Sequence, residues 1–172
     1  MKNYINIAVV GLGQVGSYLL NELNIKKKDI ELKTGKKINV VAVSARNINK
    51  KRQFKIDKKI FFKDPFEIFN KKKVDILFEA IGQSDGISKK IVETALKNKI
   101  HLITPNKALI SKHGNDLAKL AEKNNVNLEF EAAVAGGIPL LRSIKEGLAT
   151  NKISKVYGIL NGTSNYILTE ME

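Results

Sequence analysis

A chain of 172 residues carrying 30 Lys+Arg against 17 Asp+Glu, net charge +13, has room for one good-sized core, or for one domain and part of another. Its lysines fall in short clusters (Lys26–Lys28, Lys36–Lys37, Lys71–Lys73, Lys89–Lys90) without interleaved aromatics, so the charge reads as solvated surface attracting anionic ligands, and no nucleic-acid partner is expected. The absence of cysteine excludes disulfides and thiolate metal sites, no run is apolar enough to span a bilayer, and a cytoplasmic protein without membrane contact is expected.

Ile5, Ile7, Ala8, Val9 and Val10 make a short apolar, β-branched run, the pattern of a strand buried on both faces. The run breaks at Gly11-Leu12-Gly13-Gln14-Val15-Gly16, after which Val15, Tyr18, Leu19 and Leu23 recur at helical spacing. Strand, G-x-G-x-x-G turn and helix together predict a dinucleotide-binding unit. Gly11 permits the tight turn, Gly13 lets a pyrophosphate approach the backbone, and Gly16 lets the helix pack closely on the strand. The helix start then offers N–H groups and a positive dipole to phosphate. Residues 24–37 read as a polar, lysine-rich connection, and Ile38 to Val43 as a second buried strand. That strand ends Ser44-Ala45-Arg46, with no acidic residue to select NAD through the ribose 2′-hydroxyl. Arg46, with Lys50, Lys51 and Arg52 adding charge, suits a 2′-phosphate and leans to NADP over NAD; an ordinary basic loop has the same composition.

Asp64 is expected to cap a short helix with Pro65 as its first residue. Val74 to Ala80 read as the next strand, ending at Ile81-Gly82-Gln83-Ser84. Ligands in such a fold lie off the carboxyl ends of strands, so Ile81 and Gly82 are expected beside the nicotinamide ribose. Ile87, Ile91, Ala95 and Leu96 mark a helix, and Ile100 to Ile103 a short strand. This alternation predicts an α/β, doubly wound, mainly parallel sheet of Rossmann type. Lys107 follows directly, in Thr104-Pro105-Asn106-Lys107, where an ammonium can polarise a carbonyl or carry a proton; plain surface is the alternative in so lysine-rich a chain. His113 falls at helical spacing with Leu109, Leu117 and Leu120 and reads as structural. Val126 to Phe130 form a further strand that runs into Glu131-Ala132-Ala133-Val134-Ala135-Gly136-Gly137-Ile138-Pro139. A carboxylate and a Gly-Gly-x-Pro bend can turn several oxygens toward one cation, or the bend can simply start a helix at Pro139. Lys155 to Leu160 are expected as a strand, and Asn161 to Asn165 as a turn into a last helix.

Five motifs occur in order along nearly the whole chain: GLGQVG at 11–16, FEAIG at 78–82, HLITPNKALISKHG at 101–114, EAAVAGGIPLL at 131–141 and GILNGTSNYIL at 158–168. With these separations the sequence resembles homoserine dehydrogenase. The resemblance implies an NAD(P)-dependent oxidoreductase acting on CH–OH, which interconverts L-homoserine and L-aspartate 4-semialdehyde in threonine, methionine and isoleucine biosynthesis. It implies that Gly11, Gly13, Gln14, Val15 and Gly16 hold the pyrophosphate, and that Lys107 contacts both cofactor and substrate. It also implies a sodium-type ion on the Glu131 carboxylate and the carbonyls of Val134, Gly136 and Ile138, with Gly162 and Thr163 lining the substrate site. Pro105 and Gln83 stand where the family commonly has alanine and glycine. Residues 1–133 are then expected to be the NAD(P)-binding Rossmann domain, and 134–172 the start of an α+β substrate domain through which the complete protein forms a homodimer. The family's acidic substrate-binding residues and second lysine follow this segment, so the chain alone is expected to bind cofactor with little or no turnover. The alternative is a non-catalytic dinucleotide-binding or sensing module, against which Asn106-Lys107 and Asn161-Gly162-Thr163 argue.

Overall fold

The structure, a computed structural model, describes residues 3–52, 56–158 and 162–171, apart from the side chains of 162–164. The chain divides into two compact units, Met1–Phe130 and Glu131–Glu172.

In the first unit, strands β1 (Tyr4–Val10), β2 (Lys37–Ser44), β3 (Phe61–Phe62), β4 (Ile76–Glu79), β5 (His101–Ile103) and β6 (Leu128–Glu129) form one sheet. Its order is β3-β2-β1-β4-β5-β6 and every neighbouring pair is parallel. Strand order therefore reverses between β1 and β4, the switch point of a doubly wound Rossmann sheet. Helices α1 (Gln14–Ile25), α2 (Lys27–Thr34), α3 (Glu67–Lys71), α4 (Ile87–Lys97) and α5 (Lys107–Asn124) lie between the strands in sequence. The unbroken apolar run of β1 has a simple cause: alternate side chains point to opposite faces, and both faces are covered. Ala8 and Val10 join a core with Leu77, Leu102, Ile91 and Leu109, while Ile7 and Val9 join a second one with Leu12 and Val43.

Three local expectations are corrected. Residues 27–34, read as connection, form α2. This helix buries none of its residues and has no apolar stripe to reveal it; Asp29 in its first turn, Lys33 in its last and Gly35 at φ 65 supply its end signals. Asp64 accepts a hydrogen bond from the Phe66 N–H (2.9 Å), so it caps the turn before α3 rather than α3 itself. Lys155 to Gly158 are not a strand, because none of the described residues pairs with them and an extended segment needs a neighbour for its N–H and C=O groups; Ile159 and Leu160 lie outside the described residues.

The second unit contains a 3-10 turn (Glu131–Ala133), α6 (Leu140–Arg142) continuing as a π-helical turn (Ser143–Gly147), and α7 (Gly162–Met171).

Candidate functional site

The three glycines of the first turn differ in what constrains them. Gly11 leaves β1 at φ +96, and a Cβ there would stand 2.4 Å from the Ala80 carbonyl oxygen. A Cβ on Gly16 would stand 1.9 Å from the Gly11 carbonyl oxygen. Both positions are closed by the protein's own backbone. Gly13 is open: a Cβ there meets nothing within 4 Å. It caps α1 without a side-chain bond, and the first turn of α1 holds no acidic residue. The leading N–H groups and the positive end of the helix dipole therefore face this open space with no competing carboxylate on the first turn, as an anion site requires.

Beside the turn lies a cleft of about 500 Å³, within the usual range for a cofactor site, lined by Gly11 to Gly13, Ser44 to Arg46, Lys63 and Ile81. Arg46 thus stands in the cleft at the end of β2. Lys50 and Arg52 line the same cleft, and the Arg52 side chain is also committed to its own loop. Its guanidinium donates to the carbonyls of Asn47 (2.9 Å), Ile48 (3.0 Å) and Lys50 (3.0 Å), so its fork shapes the loop after β2. Lys51 lines a neighbouring depression with Gly13, Gln14 and Val15 rather than this cleft. Lys63, which the sequence reading passed over, brings a further ammonium to the cleft; in so lysine-rich a chain nothing in its local pattern marks it.

Strands β1, β4 and β5 are adjacent and parallel, so their carboxyl ends share one edge. Two strand spacings separate the glycine turn from the end of β5, roughly 10 Å. Lys107, exposed, opens α5 just beyond that end. Between them sits Glu79, the last residue of β4 and fully buried. Its Oε1 accepts from the Ile81 N–H (2.8 Å) and the Ser88 hydroxyl (2.6 Å), and its Oε2 from the Thr104 hydroxyl (2.6 Å). Asn106 caps α5, its Oδ1 accepting from the Leu109 N–H (3.1 Å), while its Nδ2 donates to the Gln83 carbonyl (2.8 Å). Sequence reasoning missed Glu79; the available signal was a carboxylate closing an otherwise apolar strand.

On the outer side of the same loop, Asp85 accepts from Lys112 Nζ (2.7 Å) and from the Ser84 hydroxyl (2.7 Å), and pairs with His113 Nε2 (2.9 Å). The Lys112 ammonium first, then the Ser84 hydroxyl and His113, hold the Asp85 carboxyl well below the usual carboxylate range. His113 is thereby a partner in a loop-to-helix tie.

Residues 11–131 match the family model described as the NAD binding domain of homoserine dehydrogenase, and residues 139–172 match a second model described as homoserine dehydrogenase. The chain belongs to the homoserine dehydrogenase family. The homoserine dehydrogenase of Neisseria gonorrhoeae is 43% identical over 167 residues, which are 97% of this chain and 38% of that protein. A solved homoserine dehydrogenase from Thiobacillus denitrificans shares 36% identity with a TM-score of 0.83, covering 98% of this chain and 38% of its own. One from S. aureus, at pH 6.5, gives 37% identity and a TM-score of 0.76, covering 98% and 39%. The chain thus spans about 38% of the length of the curated homoserine dehydrogenases it matches.

In the second unit, Ala135 (φ 51) and Gly137 (φ 86) bend the backbone between Glu131 and Pro139. The two Glu131 oxygens accept from the N–H groups of Leu141 (3.0 Å) and Arg142 (3.0 Å), and the Ile138 carbonyl from the Leu140 N–H (2.8 Å). Glu131 therefore ties the bend to the start of α6, with one lone pair of each oxygen engaged. No group of three or more His, Cys, Asp or Glu able to hold a metal ion occurs among the described residues. Gly162 and Thr163 open α7, and their side chains lie outside the described residues.

Proposed function

We propose that the chain carries the nucleotide-binding unit of a homoserine dehydrogenase that uses NADP(H) to interconvert L-homoserine and L-aspartate 4-semialdehyde, with residues 1–133 as that domain and 134–172 belonging to the substrate domain. The observation that carries this reading is the shared sheet edge: an open, acid-free helix start at Gly13, the Ile81–Gly82 turn and Lys107 all stand at the carboxyl ends of β1, β4 and β5. When bound, the nicotinamide gives or takes the hydride.

The chain's own residues bind, align and supply charge. Backbone N–H groups at Gly13, Gln14 and Val15 hold the pyrophosphate, with Gly11 and Gly16 keeping the turn tight behind it. Arg46 meets the 2′-phosphate, Lys51 adds positive charge from the adjoining depression, and Arg52 keeps the loop in shape. Ile81 and Gly82 border the nicotinamide ribose. The Lys107 ammonium stabilises, or protonates, the oxygen that becomes an alkoxide as hydride reaches the aldehyde carbon. In the second unit, a monovalent cation would take the remaining lone pairs of Glu131 and the carbonyls of Val134, Gly136 and Ile138. Gly162 and Thr163 are substrate contacts on the strength of their motif alone, and the complete protein is a homodimer.

Fluorescence titration of the chain with NADPH and NADH tests the reading. Saturable binding with NADPH the tighter ligand is expected; failure to bind either dinucleotide sinks it.

A further inference from the structure

We propose that Glu79 is a positioning residue that locks the Ile81–Gly82 turn and the elbow carrying Lys107 into one unit, so that the two sides of the nicotinamide site keep a fixed separation; this rests on the dinucleotide reading above. A single planar carboxylate serves both sides. Oε1 holds the Ile81 N–H and the Ser88 hydroxyl at the head of α4, with the Gly82 N–H a weak third partner at 3.4 Å. Oε2 holds the Thr104 hydroxyl, with Asn106 Nδ2 at 3.4 Å. Thr104 Oγ1 in turn accepts the Asn106 N–H (3.1 Å), and Ser88 Oγ accepts Asn106 Nδ2 (3.1 Å). Each hydroxyl thus accepts a hydrogen bond from Asn106 and donates one to Glu79. Asn106 closes the circuit by capping the helix whose first residue is Lys107.

The sheet core does not call for this carboxylate. Glu79 is wholly enclosed, its hydrogen-bond partners are uncharged donors, and burying an anion is costly unless every lone pair is met. An apolar residue would fill the end of β4 with less desolvation. What the carboxylate adds is a defined distance between two loops that come from different strands. Loss of that distance displaces Lys107 from the nicotinamide while leaving the adenosine end, at Gly13 and Arg46, untouched.

The test compares NADPH with 2′,5′-ADP, which lacks the nicotinamide half, on the wild-type chain and on Glu79→Gln, Thr104→Val and Thr104→Ser. Glu79→Gln and Thr104→Val are expected to weaken NADPH about tenfold and 2′,5′-ADP less than about twofold, with Thr104→Ser near wild type because it keeps the hydroxyl. In a Lys107→Ala background, Thr104→Val should add almost nothing, since its effect runs through the lysine. Should Glu79→Gln fail to fold, as read by its thermal melt, the Thr104 pair and the Lys107 cycle decide. Equal loss for both ligands, no loss for either, a Thr104→Ser variant as weak as Thr104→Val, or full additivity with Lys107→Ala would each overturn the positioning role. A wild-type chain that binds neither ligand removes the dinucleotide reading and this role together; tight wild-type binding with unaltered variants removes this role alone.

Discussion

Replacing Gly13 with alanine separates folding from binding. Gly13 lies at φ −76 and ψ −158, extended backbone that an L-residue adopts, and an added methyl group meets nothing within 4 Å. Two opposing effects act on stability. Alanine is a poorer helix N-cap than glycine, costing about 1 kcal/mol or less. Removing a glycine from the unfolded chain stabilises by about 0.4–1 kcal/mol. The sum is within about 1 kcal/mol of zero, which for a chain of this length moves Tm by roughly 2–4 °C at most. Binding behaves differently, because the methyl group enters the space where a pyrophosphate would meet the Gln14 and Val15 N–H groups. Losing even one hydrogen bond to a charged group, worth about 1.5–3 kcal/mol, lowers NADPH affinity at least about tenfold. The assay is a thermal melt paired with an NADPH titration. Gly16→Ala is the opposing control: its Cβ would stand 1.9 Å from the Gly11 carbonyl oxygen, a backbone contact that no rotamer change relieves. That overpacking should cost about 1–3 kcal/mol and lower Tm by several degrees without ligand present. A Gly13→Ala chain that binds NADPH as tightly as wild type would refute the pyrophosphate assignment.

Arg46→Ala should weaken NADPH about tenfold or more and leave NADH nearly unchanged, read by parallel titrations; equal effects on both would remove Arg46 from the 2′-phosphate. Arg52→Ala should instead lower Tm and weaken both dinucleotides alike, because it frees the Asn47, Ile48 and Lys50 carbonyls and loosens the loop. Asp85 has a depressed pKa in the folded state, so its pairing stabilises the protein fully above the ordinary carboxylate range and is lost as pH falls through the folded value. The Tm difference between wild type and Asp85→Asn should therefore hold from pH 7 down to about pH 4 and shrink only in stronger acid. A difference already gone at pH 5 contradicts the Lys112 pairing. Lys107→Ala in a complete enzyme should abolish turnover while 2′,5′-ADP still binds; unchanged turnover takes Lys107 out of the mechanism. The 172-residue chain by itself should bind NADPH but show little or no homoserine oxidation in a steady-state assay, and robust turnover would contradict that expectation.

Local pattern was enough to specify β1, the glycine turn, α1 and the parallel alternation after them. A strand buried on both faces leaves an unbroken apolar run, and a helix leaves a period near 3.6 residues, whatever lies elsewhere in the chain. The same reasoning missed α2, whose two apolar residues, Ile30 and Leu32, lie on different faces, and expected a strand over Lys155 to Leu160, of which 155–158 pair with none of the described residues. The tertiary structure alone decided which side chains share an edge. Glu79 reaches Thr104 and Asn106 only because β4 and β5 lie side by side, and those partners are 25 and 27 residues away in sequence. It likewise decided that Arg46, Lys63 and Arg52 line one cleft, with the Arg52 fork bonded to the carbonyls of its own loop. A residue's type and its neighbours in sequence carry its backbone preference; its hydrogen-bond partners are set by chain segments that meet only after the sheet has formed.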